Sequence, residues 1–139
     1  PMQWSSGKNA GFSEAHPHQL YRPIIEDRIY GFQRVNVETQ RANEQSLLHT
    51  IRNMIRVRKK HDVLARGKII WRHDLPHHAL CYWRQTNGER MLILHNLSDA
   101  ERLTIKLDRG YVDVLDDTQY VGDEVKLLPN GYRWLKAID

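Results

Sequence analysis

After Asp62 the hydrophobic pattern of this chain changes period. Over residues 44–61 apolar side chains recur at helical spacing; downstream they alternate with polar ones in short runs. The alternating runs predict strands at 66–71, 79–84, 91–96, 102–107, 112–115, 124–128 and 132–137. Turn signals separate them: Asn87-Gly88, Asp108-Arg109-Gly110, Gly122-Asp123 and Asn130-Gly131. Asn-Gly between two strand-like runs is a strong hairpin signal. Strands this short and this closely spaced imply a small antiparallel sandwich or barrel over 64–139.

Residues 44–61 read as one amphipathic helix. Leu47, Leu48, Ile51, Met54 and Ile55 share a stripe. Arg52, Arg56, Lys59 and Lys60 lie opposite, crowded toward the C-terminal half, where the helix dipole favours cations. Asn43 is expected to cap this helix, with Glu44 in its first turn. Arg58 breaks the pattern by pointing into the apolar stripe. Buried there, it needs a carboxylate or carbonyl partner, so Arg58 is a candidate structural residue. Residues 1–43 show no sustained periodicity and read as a long loop, a length that is usually functional in a folded domain.

Composition excludes several classes. A complete eight-stranded α/β barrel needs about 250 residues, and this chain has 139. No apolar run approaches the ~20 residues of a membrane helix. A single cysteine, Cys81, rules out an internal disulfide and fits a reducing cytoplasm. Cys81 sits between Leu80 and Tyr82-Trp83 on a predicted strand and is expected to be buried and unreactive. The net charge of +4 is concentrated in the helix, at Arg52, Arg56, Arg58, Lys59 and Lys60; the rest of the chain is not basic. That basic run reads as a solvated helix face, with no base-stacking motif beside it and no nucleic-acid partner expected. Asn96-Leu97-Ser98 has the form of a glycosylation sequon.

The chain opens on Pro1-Met2-Gln3-Trp4, followed by Asn9-Ala10-Gly11-Phe12, with neither an initiator Met nor a signal peptide, and is expected to be a piece of a larger protein. These residues resemble the segment after the eighth barrel strand in the α-amylase superfamily (family 13 glycoside hydrolases). Further on come Leu20-Tyr21-Arg22-Pro23-Ile24-Ile25, Tyr30-Gly31-Phe32-Gln33 and Val35-Asn36-Val37-Glu38. They are similar to the trehalose synthase (maltose α-D-glucosyltransferase) branch more than to the oligo-1,6-glucosidases. Ser46-Leu47-Leu48-His49 and Met54-Ile55-Arg56-Val57-Arg58-Lys59 extend the resemblance through the last barrel helix. The resemblance is strong over 1–70 and rests on strand pattern beyond. It implies the loop after barrel strand 8 at 1–43, the last barrel helix at 44–61, and a Greek-key β-sandwich, domain C, at 64–139.

The resemblance implies a parent enzyme that interconverts maltose and trehalose through a glucosyl-enzyme intermediate, with leakage to water giving glucose. A hydrolytic α-glucosidase parent, or a separate carbohydrate-binding sandwich using aromatics such as Trp71, Tyr82, Trp83 and Trp134, are the alternatives. Retaining glycoside chemistry needs two carboxylates about 5–5.5 Å apart. The family's motifs for them are missing from this sequence, and His73-Asp74 follows the helix and reads as a hairpin end. No catalytic residue is therefore assigned, and the chain alone is expected to be inert.

Loops after barrel strands build the catalytic face, and aromatics there stack on sugar rings. Trp4, Tyr21 and Tyr30 are the substrate-binding candidates, with Phe12 and Phe32 beside them; the competing role is to pin the loop. His16/His18 and His77/His78 lack zinc-site spacing and read as solvated loop histidines, so no metal site is expected here. Any calcium implied by the family belongs to upstream segments. The expected partners are the rest of the parent barrel and a second copy meeting the helix stripe.

Overall fold

Met91-Leu92-Ile93-Leu94 is the stretch that organises the β region. All four are buried, which alternation permits only when both faces of a strand are covered. In the computed structural model, which describes residues 1–138, they belong to β3, the third of eight strands: β1 Lys68–Trp71, β2 Ala79–Gln85, β3 Arg90–Asn96, β4 Leu103–Lys106, β5 Tyr111–Asp113, β6 Gln119–Tyr120, β7 Glu124–Leu127 and β8 Tyr132–Ala137. Residue 139, the end of the expected domain C, lies outside the described residues.

Six strands form one antiparallel sheet in the order β1-β2-β3-β8-β5-β6; β4 and β7 pair as a second sheet. The chain leaves the large sheet after β3, returns for β5 and β6, and leaves again for β7. It then closes with β8 between β3 and β5. β4 and β7 alternate cleanly, with Leu103 opposite Leu127 and Ile105 opposite Val125. Their apolar side packs on Cys81, Leu92, Leu94, Tyr111 and Leu135. The other face of the large sheet presents Met91 and Ile93 to Val63, flanked by Leu64, Tyr82 and Trp134. The antiparallel sandwich expected from the turn spacing is the fold observed.

Val63 belongs to a short helix that the pattern does not predict. The helices are α1 Val37–Ala42, α2 Leu47–Lys60 and α3 Asp62–Arg66. Arg84 holds α3 to the sheet, donating to Val63 O at 3.2 Å and Leu64 O at 3.1 Å, the carbonyls a helix end leaves open. Gly67 ends it, where a Cβ would sit 2.5 Å from Val63 O.

The chain divides into two units, Pro1–Asn53 and Met54–Asp139. In the first, α1 interrupts the stretch read as loop. Asn36 caps it, accepting from Thr39 N at 2.8 Å while its amide donates to Phe32 O at 2.8 Å. Asn43 does not cap α2: its Oδ1 accepts from Gln45 N at 2.9 Å in a local turn. The hydroxyl facing His49 N, at 3.4 Å, is that of Ser46. Glu44 therefore precedes the helix. Within α2, Leu47, Ile51 and Ile55 are exposed, and the buried residue is Val57, which lies off the expected stripe.

Candidate functional site

The loop that opens the chain is built around three consecutive left-handed residues. Asn9, Ala10 and Gly11 have φ of 50°, 58° and 67°. A non-glycine residue there costs about 1–3 kcal/mol and persists only where its surroundings over-determine it. They do so here. Asn9 donates to Ser13 O at 2.8 Å and Ala15 O at 2.7 Å, and Ala10 O accepts from both Trp4 N (2.8 Å) and Ser5 N (3.1 Å). Asn9 and Ala10 are buried, and a Cβ on Gly11 would meet Ser5 Oγ at 2.5 Å.

A second segment is tied to the first through Gln3 and Trp4. Gln3 O accepts from Val37 N and Trp4 O from Glu38 N, both at 2.9 Å. The Gln3 amide donates to Tyr30 O at 3.2 Å and to Val35 O. The turn carrying Tyr30 closes on itself: Asp27 Oδ1 accepts from Ile29 N (2.7 Å) and Tyr30 N (2.6 Å), and Phe32 N donates to Ile25 O at 3.1 Å. Met2, Ile25, Tyr30, Val35 and Val37 line an apolar groove along this junction.

The structure separates the aromatic candidates. Trp4 is 47% exposed and Tyr30 67% exposed, on segments that Gln3 joins. Tyr21 is 93% exposed, with the Arg22 guanidinium 5.3 Å from its ring. Phe12 is exposed and Phe32 is buried. Arg58 is also exposed. Among the described residues no side chain or carbonyl pairs with its guanidinium, which stays in water.

Arg72 grips Asp74 with two bonds, at 3.1 and 2.6 Å, and holds its carboxyl below the usual range; His73-Asp74 lies in the connection between β1 and β2, which pair as a hairpin. Burial pushes the Cys81 thiol up to about 11, away from reactivity. His78 departs from the expected solvated histidines. Its side chain is only 11% exposed, with Glu101 Oε2 3.8 Å from Nδ1. Asn96 of the sequon is buried, and its amide donates to Glu101 O (2.7 Å) and Leu128 O (2.9 Å), so the atom a glycan would need is spent in the fold. Among the described residues no group of three or more His, Cys, Asp or Glu is placed to hold a metal, and no helix is long and apolar enough to cross a membrane.

Residues 1–67 match the family described as "Alpha amylase, catalytic domain". The chain is a relative of the trehalose synthases of that superfamily, as the motifs of residues 1–70 imply. It is 51% identical over 133 residues to the trehalose synthase/amylase TreS of Mycolicibacterium smegmatis, covering 87% of this chain and 22% of that protein. It is 39% identical over 154 residues to the trehalose synthase of Pimelobacter sp., covering 100% of this chain and 27% of that protein. Among solved structures, the trehalulose synthase MutB from Pseudomonas mesoacidophila MX-45 superposes with a TM-score of 0.79 at 21% identity, over 98% of this chain and 24% of that one. The chain thus spans about a quarter of the proteins it resembles.

Proposed function

We propose that this chain supplies the last barrel loops, the last barrel helix and domain C of an enzyme that interconverts maltose and trehalose. The observation that carries the reading is the identity of 39–51% to proteins named trehalose synthase across the opening loop and beyond. In the proposed reaction a carboxylate elsewhere in the parent attacks the anomeric carbon of the non-reducing glucose of maltose. A second carboxyl group protonates the departing glycosidic oxygen, leaving a glucosyl ester and free glucose. The anomeric hydroxyl of that glucose, giving its proton back to the second carboxylate, then attacks the anomeric carbon and releases the first carboxylate, giving the 1,1-linked product with retention; water in its place gives a second glucose. The residues here present Trp4 and Tyr30 on the catalytic face and brace the barrel from behind.

The full-length protein given maltose is expected to form trehalose with a minor yield of glucose, followed by carbon NMR. The 139-residue chain is expected to turn over neither sugar. Glucose as the sole product of the full-length protein identifies a hydrolytic α-glucosidase and refutes the isomerase reading.

The exposed stripe Leu47, Ile51 and Ile55 on α2 is proposed as the surface the rest of the barrel covers. In the isolated chain it is expected to associate with a second copy. Light scattering should report a mass above the monomer at high concentration, reduced by Ile51→Glu. A monomer whose α2 is helical by circular dichroism contradicts this.

A further inference from the structure

Gln3 stands where three segments of the first unit meet. Its main-chain carbonyl holds the start of α1, and Trp4 beside it holds the next amide. Its side-chain amide has two N–H donors, and both are spent on main-chain carbonyls 27 and 32 residues away, those of Tyr30 and Val35. Oε1 is buried without a donor among the described residues. The orientation of the amide is therefore fixed by its donors, because the flipped amide sets Oε1 against two carbonyl oxygens. The Asp27–Val35 turn is closed by its own bonds. Among the described residues, the Gln3 amide is the only polar tie between that turn and residues 1–4.

We propose that Gln3 is a positioning residue. By clasping the turn that presents Tyr30 to the segment that presents Trp4, it sets how the glucosyl intermediate divides between the sugar acceptor and water. The inference rests on the glucosyl-transfer reading above. Both fates start from the same covalent ester and differ only in the attacking oxygen. Transfer requires the released glucose to be held in line with the anomeric carbon, whereas water needs only entry. A loosened Tyr30 turn lowers acceptor order and admits water together, so both effects act in one direction.

The test uses the full-length enzyme with Gln3→Met, which keeps length and removes both donors, and Gln3→Glu, which places carboxylate oxygens against the two carbonyls. The readout is the initial trehalose-to-glucose ratio from maltose, which does not depend on how much enzyme is folded. The ratio is expected to fall about threefold to tenfold in Gln3→Met and further in Gln3→Glu, while total maltose consumption per folded enzyme falls less. An unchanged ratio in both variants overturns the proposal. A wild-type enzyme that makes only glucose defeats the transfer reading instead. The clasp is then judged by amide hydrogen exchange over residues 27–35: faster exchange in Gln3→Met supports it, and unchanged exchange overturns it.

Discussion

Replacing Leu135 by alanine is expected to cost the β unit about 2–5 kcal/mol, a large part of the 5–15 kcal/mol that holds a typical domain folded. Leu135 is fully buried in β8, the strand that closes the large sheet. It lies opposite Leu92 of β3 on one side and Asp113 of β5 on the other. Its side chain belongs to the cluster sealed by Leu103, Ile105, Val125 and Leu127 of the smaller sheet. A cavity at that position cannot collapse readily, because hydrogen-bonded ladders fix the backbone on both flanks. The upper half of the range is therefore the expected result. Urea unfolding should show a lowered midpoint with an unchanged slope. Leu128→Ala, at an exposed position just beyond β7, should stay within about 0.5 kcal/mol of the parent. A loss below about 1 kcal/mol for Leu135→Ala would mean that β8 is not the centre of this core.

The sequence reveals the elements that are long enough to repeat their own pattern. Each of the predicted strands is present, that at 132–137 with the same ends and the others with an end shifted by one or two residues; β4 and β7 leave the trace of alternating burial, and β3 that of a continuous apolar run. β6 has two residues and leaves none. α1 and α3 have six and five residues, less than two turns, too short for a 3.6-residue period to register. The expected cap at Asn43 failed for a local reason: Asn43 and Ser46 both offer an acceptor, and Asn43 spends its own on Gln45 N. The stripe on α2 shows a further limit. Periodicity identifies which face is apolar, but the buried residue is Val57, while Leu47, Ile51 and Ile55 remain in water. In the opening loop, aromatic chemistry singled out Trp4, Tyr21 and Tyr30. Gln3, inside the most recognisable motif, went unassigned because its partners are carbonyls far along the chain, and any residue supplies a carbonyl.

Asp113 is the second position where one side chain is expected to matter most. It is fully buried in β5, and its Oδ1 accepts from Leu115 N at 3.0 Å and Trp134 N at 3.3 Å, extending the contact of β5 with β8. Oδ2 faces Arg133 Nε at 3.5 Å, but that guanidinium has a shorter bond, 2.6 Å, to the Tyr120 hydroxyl. Burial raises the Asp113 carboxyl above its ordinary value of 3.8, outweighing the backbone bonds and Arg133, which lower it. The sign follows. With its folded value above its unfolded one, Asp113 is protonated more readily in the folded state, so its ionisation costs stability as pH rises from the ordinary carboxylate range through the raised value. Below that window the cost is absent. Asp113→Ala removes the acceptor for two main-chain amides and should cost about 2–4 kcal/mol at neutral pH. Asp113→Asn keeps an oxygen for those amides and carries no charge. It should cost less than alanine, and its deficit against the parent should be smaller at pH 7 than at pH 4, because only the parent carries the ionisation cost at pH 7. Chemical denaturation at both pH values measures this directly. Equal losses for alanine and asparagine would remove the amide-acceptor role. An asparagine deficit that grows with pH would mean that Arg133, and not burial, governs the carboxyl.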